Sequence, residues 1–128
     1  MINIYDKKGF TVLLNLDADS LAQADLSRAE LRDANLVEID LSRACLRQAS
    51  LRGADLRLAS LANADLREAD LTDADLSGAD LGHALLDGAC FSNTRLDNTR
   101  LPAGFEPDTT GQVQQIVIPV DDIPRGKS

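Results

Sequence analysis

Leucine or phenylalanine stands at every fifth position from Leu16 through Leu101, eighteen times in succession, with Phe91 as the one phenylalanine in the series. Two residues before most of them stands alanine: Ala24, Ala29 and Ala34, then Ile39, then Ala44 without interruption to Ala89, after which Thr94 and Thr99 take the position. An internal repeat of this regularity decides the architecture before any local propensity does. A continuous helix is incompatible with it, because about 100° per residue rotates each successive leucine by about 140° and scatters the apolar side chains around the cylinder. A flat strand is incompatible too, since five is odd and a two-residue alternation sends successive leucines to opposite faces. The chain must therefore bend once per repeat. If each unit is a short extended segment followed by a corner, the leucine and the alanine two before it both point inward and the other three residues point out. That arrangement is a β-solenoid.

The stretch ADLREADLTDADLSGADL, residues 64–81, displays the unit most clearly: Ala, then Asp or Asn, then Leu, then two variable residues. In this it resembles the pentapeptide-repeat family, and the resemblance extends over about residues 21–101. It implies an all-β fold, a right-handed quadrilateral β-helix with four repeats and twenty residues per coil. About four coils stacked at roughly 4.8 Å make a rod about 20 Å long. Aromatic residues are only 3% of the chain and tryptophan is absent, so the interior must be narrow and built from Leu and Ala. Burying each leucine contributes roughly 1.5–3 kcal/mol, so the ladder is stable without metal, disulfide or cofactor. A side chain larger than Ala at the second inward position overpacks the interior, and Ile39 is expected to cause a local bulge.

A stacked solenoid needs its two ends covered. Residues 1–18 are expected to form a cap, with INIYD and FTVLLNL as the strands of a β-hairpin and DKKG as its turn. The repeat helix is assigned to residues 19–103. Residues 104–128 are read as a C-terminal cap strand, centred on QVQQIVIPV, followed by a flexible tail.

The formal net charge of −8 argues against direct contact with nucleic acid or an anionic membrane, which both require basic surface, and favours a basic protein partner. No apolar run approaches the length of a signal segment or membrane span, and the two cysteines, Cys45 and Cys90, lack metal or redox spacing and suit a reducing compartment. The expected location is the cytoplasm. Both thiols should be free, being two coils and one side apart. His83 is the single histidine, and the sequence around it matches no recognisable nucleophile arrangement, so the chain is read as non-enzymatic.

Twenty residues per coil put residue n above n−20. One outward column is then Asn35, Asp55, Asp75 and Arg95, and another is Ser20, Asp40, Ser60, Asp80 and Arg100. Most such carboxylates are expected to accept hydrogen bonds from backbone amides at their own corners. Arg28, Arg32, Arg47, Arg52 and Arg67 alternate with Asp25, Glu30, Asp65, Glu68 and Asp70, which reads as a lattice of surface ion pairs worth little individually. Residues 68–94, by contrast, contain Glu68, Asp70, Asp73, Asp75, Asp80 and Asp87 and no Lys or Arg. These six are the candidate interaction surface. The primary reading is a structural or protein–protein interaction module of unidentified partner, with a homodimer through the solenoid ends or the C-terminal strand as one arrangement. The alternative comes from the resemblance, since some pentapeptide-repeat proteins protect DNA gyrase and are thought to imitate DNA. Against it, residues 16–101 carry sixteen acids and nine arginines, a net of −7, whereas about 20 Å of duplex carries on the order of twelve charges.

Overall fold

A computed structural model describes residues 1–105. Its two strands, β1 (Ile2–Tyr5) and β2 (Val12–Leu16), form an antiparallel hairpin. Beyond Leu16 the chain winds into coils whose neighbours pair in parallel, residue n with residue n+20, from Asp25 with Cys45 to Asp80 with Arg100. Each pairing is a two-way exchange. The Cys45 amide donates to the Ala24 carbonyl at 2.9 Å, and the Leu26 amide donates to the Cys45 carbonyl at 2.7 Å. The coil therefore has twenty residues and four sides. Numbering coils 1 to 4 from residues 20, 40, 60 and 80, the outward column at the centre of side 1 is Ser20, Asp40, Ser60, Asp80 and Arg100. Side 2 carries Asp25, Cys45, Asp65 and Leu85, side 3 Glu30, Ser50, Asp70 and Cys90, and side 4 Asn35, Asp55, Asp75 and Arg95.

The bend that the period demands is made the same way every time. The Ala24 amide donates to the Leu21 carbonyl at 3.0 Å, and the same three-residue closure recurs at each repeat through Thr99 to Leu96. The residue before each of these amides has a positive φ, from Gln23 at 65° to Asn98 at 57°. A four-residue turn with φ > 0 at its third residue is the type II arrangement, which favours Gly and Asn there. Gly53, Gly78 and Gly88 fill three of these positions, but Arg43 and Leu58 hold φ of 60° and 62° with full side chains, a conformation that costs most residues about 1–2 kcal/mol. The repeat supplies sixteen such turns, and stacking on both neighbours holds the unfavourable ones in place.

The inward assignment holds. Leu26 to Leu86 and Phe91 stand in the core at 4% exposure or less, as do Ala34 and Ala44 to Ala89. No polar or charged side chain among the described residues is buried. Ala24 and Ala29 in coil 1 are only partly buried, because nothing of the repeat lies beneath them. The expected bulge at Ile39 does not occur. Pairings 35 with 55 and 40 with 60 continue on either side of it, and its carbonyl still accepts from the Ser60 amide at 2.9 Å. Ile39 lies in coil 1, half-buried and packed against the core in the end layer where Ala24 and Ala29 are also only partly buried.

The hairpin closes that end. Ile4 is 2% exposed and Ile2, Leu14 and Leu16 pack on the core beside it. β1 also docks by its backbone: the Asn35 amide donates to the Tyr5 carbonyl at 2.8 Å and the Lys7 amide donates to the Asp33 carbonyl at 2.8 Å. This antiparallel contact substitutes on side 4 for the missing coil below. Asp6 organises the turn by accepting from the Phe10 and Thr11 amides at 3.0 and 3.2 Å. At the other end, a turn at Gly104, φ 85°, lets Phe105 fold back onto Phe91, with ring centroids 5.2 Å apart. Phe105 is 5% exposed and plugs the top of the rod. The anticipated cap strand around residues 112–120 and the tail lie outside the described residues.

Two substitutions test this packing. Ala64→Leu should lose about 1–3 kcal/mol in urea unfolding through overpacking. Arg43→Asn should gain up to about 1 kcal/mol by suiting the left-handed corner. Equal tolerance of Leu at position 64 and of Leu at an exposed position would contradict the inward assignment.

Candidate functional site

With the interior apolar, whatever the described coils recognise must be met by their outward columns. Most of the aspartates in them are committed to the corners. Oδ1 of Asp40 accepts from the Ser42 amide at 3.0 Å and from Ser42 Oγ at 2.6 Å; Asp25 with Ser27, Asp70 with Thr72 and Asp75 with Ser77 repeat this geometry. Asp80 accepts from the Gly82 amide at 2.8 Å. Asp55 and Asp65 are gripped by bidentate arginines, Arg57 at 2.8 and 2.9 Å and Arg67 at 2.9 and 2.7 Å. A carboxylate one residue before the leucine therefore ties down the amide two residues later, as the corner reading anticipates.

These contacts favour the ionised forms. The hydroxyl of Ser42 and the guanidinium groups of Arg57 and Arg67 hold Asp40, Asp55 and Asp65 below the ordinary carboxylate range. At Asp70 and Asp75 partial burial acts in the opposite direction, but the donors from Thr72 and Arg52, and from Ser77, together outweigh it and the net shift is also downward.

The six candidate acids do not behave alike. Asp80 and Asp75 stand on sides 1 and 4 beneath arginines: Arg100 Nη1 is 3.7 Å from Asp80 Oδ2, and Arg95 stacks directly above Asp75. The other four border side 3. Asp70 is on its central column, bonded to Arg52 Nη1 at 3.2 Å; Glu68 and Asp87 lie at the corner before it, stacked through the Glu68 amide and Asp87 carbonyl at 2.9 Å; Asp73 lies at the corner after it, with φ 62°. The columns read from sequence set Asp75 and Asp80 on different sides, and the structure gathers the other four around one side of coils 3 and 4. Glu68 also ends a ladder of side chains climbing the corner between sides 2 and 3. Arg28 Nε donates to Gln48 Oε1 at 2.8 Å, and Gln48 Nε2 donates to Glu68 Oε1 at 3.0 Å. The arginines below are partly used in such pairs, so the anticipated ion-pair lattice is present at Arg52 and Arg67.

Reasoning from sequence missed the Phe105 plug and the corner residue with positive φ. The signal for the latter is present: Asp33, Gly53, Asn63, Asp73, Gly78, Gly88, Asn93 and Asn98 all fall at the second variable position, which is the composition a left-handed residue selects. Cys45 and Cys90 are both free. Among the described residues no group of His, Cys, Asp and Glu is arranged to hold a metal ion, and no helix is long and apolar enough to cross a membrane.

Comparison with known proteins agrees with this geometry. Pentapeptide repeats match in eight copies over residues 20–48, 39–78 and 64–101. The chain belongs to the pentapeptide-repeat family, and its fold is the right-handed quadrilateral β-helix of that family. Among solved structures it is similar to a pentapeptide repeat protein from the cyanobacterium Cyanothece 51142, with 37% identity and a TM-score of 0.64 over 68% of this chain and 59% of that one. It is also similar to one from Nostoc Pcc 7120, at 44% identity over 62% of this chain and 65% of that one, with a TM-score of 0.33. A third, from Nostoc sp. strain PCC 7120, is HetL, described as involved in heterocyst differentiation regulation, at 31% identity over 74% of this chain and 51% of that one, TM-score 0.38. The chain spans less than two thirds of the length of each of these structures. No curated protein matches it.

The corner role of the aspartates fixes their pH response. Their carboxyls titrate lower in the folded chain than in the unfolded one, so falling pH protonates the unfolded chain first, near the ordinary value of about 3.9. Stability should be level above about pH 5, decline below about pH 4, and lose this contribution as pH passes through the lowered folded values. Urea midpoints at pH 7, 4.5 and 3 check this. At pH 7, Asp75→Ala should cost about 1 kcal/mol through the unpaired Ser77 amide, whereas Asp87→Ala should stay within about 0.5 kcal/mol.

Proposed function

We propose that this chain is a non-enzymatic protein–protein interaction module of the cytoplasm, docking a basic protein surface on side 3 of coils 3 and 4. The observation that carries the reading is the complete absence of buried polar or charged side chains among the described residues. Catalytic groups draw their perturbed properties from enclosure, and among the described residues every polar and charged side chain lies outside the core. On the outward surface Glu68, Asp73 and Asp87 are the candidate acids with no corner aspartate's duty, and Asp70 lies between them. Held by the stacked backbone, they present charge without losing much conformational freedom on binding, which favours a partner of opposite sign.

Imitation of DNA draws less support. Asp75 and Asp80 are interrupted by Arg95 and Arg100 in their own columns, so the acids make a patch on one side rather than a stripe around the rod.

The test is capture from the native host's extract on immobilised full-length chain, followed by measurement of the captured protein's affinity. Glu68→Lys with Asp87→Lys should abolish binding without changing the thermal melt, Asp80→Asn should not affect it, and rising salt should weaken it. Binding that survives the side 3 reversal but fails on changes to another side would overturn the assignment. A supercoiling assay with DNA gyrase, with and without a quinolone, should show no effect.

A further inference from the structure

The cap that seals the first coil leaves one of its own strands unsealed. β1 is the middle segment of a three-part sheet: β2 pairs along one edge, and Asp33–Asn35 of coil 1 pair along the other. β2 is the outer strand. Its residues, Val12, Leu13, Leu14, Asn15 and Leu16, include no charge and no proline, and among the described residues its outer edge makes no hydrogen bond. An uncharged apolar edge is a template for another strand. Around it lies an unusual concentration of exposed apolar surface. Phe10 is 85% exposed, Met1 75%, Val12 48% and Tyr5 41%. Two of the chain's four aromatic residues thus stand in solvent on the hairpin, while the other two, Phe91 and Phe105, are buried at the opposite end.

We propose that β2 is a docking edge for a second copy of this chain, pairing antiparallel with its own counterpart about a two-fold axis to join two rods at their N-terminal ends. Charge selects this occupant and this direction. Centred on Leu14, antiparallel pairing sets Val12 opposite Leu16 of the second copy, and the hairpin turn that carries Lys8, just before β2, then lies beside the bend through Asp17 and Asp19, just after β2, of the other copy. Lys8 of each copy then meets the Asp17 and Asp19 end of the other, twice over by symmetry. All three charged residues are exposed; Lys8 acts on Asp6 of its own turn at longer range, and none of the three closes an ion pair among the described residues. A parallel pairing would set lysine beside lysine. The contact is isologous, so it closes at two copies rather than growing into a filament. It also joins the rods away from the acidic coils 3 and 4, leaving side 3 of each copy open.

Size-exclusion chromatography with light scattering on the full chain at about 100 µM, well above a micromolar dissociation constant, should report a dimer. Phe10→Lys with Val12→Lys should give a monomer with an unchanged far-ultraviolet spectrum and melt, since both side chains are exposed. Lys8→Glu alone should weaken the dimer by about threefold or more, as should Asp19→Lys alone, and the two combined should restore it. A wild-type monomer would overturn the proposal, including the case in which residues 113–118 cover this edge within their own chain. So would a dimer indifferent to the Phe10 and Val12 changes, and failure of the combined charge reversal to restore association would overturn the antiparallel register.

Discussion

One backbone closure, the amide of the residue two before each leucine returning to the preceding leucine's carbonyl, governs everything else in this molecule. It forces a corner every five residues, with a left-handed residue at its third position. Four corners complete a coil, and residue n comes to lie above residue n−20. The inward direction of Leu and Ala follows from the corner rather than the reverse, because only with a bend between them can leucines five apart share an interior. The penalty for a left-handed Arg43 or Leu58 is tolerated because the parallel hydrogen bonds above and below fix the backbone from both sides.

The same closure determines what the surface can do. Each corner exposes an amide that the coil does not satisfy, and the aspartate before the leucine accepts from it, with Ser, Thr or Arg two residues on completing the arrangement. The repeated Asp-Leu pairs of residues 64–81 are for the most part corner fittings. Recognition is left to the variable positions, and there the chemistry changes freely from column to column. That separation is why a sequence so uniform inside can carry an acidic side in coils 3 and 4, a region in coils 1 and 2 where six acids are balanced by six arginines, and an apolar hairpin at one end.

The fold was legible because its signal is repeated: eighteen inward positions in strict register require a chain that bends once per repeat, while the four sides and the right hand came from the resemblance to the pentapeptide-repeat family. Features that occur once were harder to read. Phe105 belongs to no repeat, and only its return onto Phe91 identifies it as a plug. Ile39 reads as an intruder by size, yet the open first coil accommodates it, a fact of position rather than of residue type. The grouping of Glu68, Asp70, Asp73 and Asp87 escaped the column argument because residues at two corners and on the side between them belong to four different columns. Sequence spacing identifies what stacks vertically; it says less about what meets around a corner.

The claim on which the rest stands is the twenty-residue coil, and proximity of side chains measures it most directly. Cys45 and position 65 are stacked neighbours on side 2. In a Cys90→Ser background, Asp65→Cys should let a short thiol-to-thiol reagent bridge the two sulfurs across one coil spacing of about 4.8 Å, detected as an intramolecular adduct by mass spectrometry. Asp70→Cys in the same background lies one side further round and should not be bridged. Bridging of Cys45 to position 70 but not to position 65 would contradict the four-sided coil.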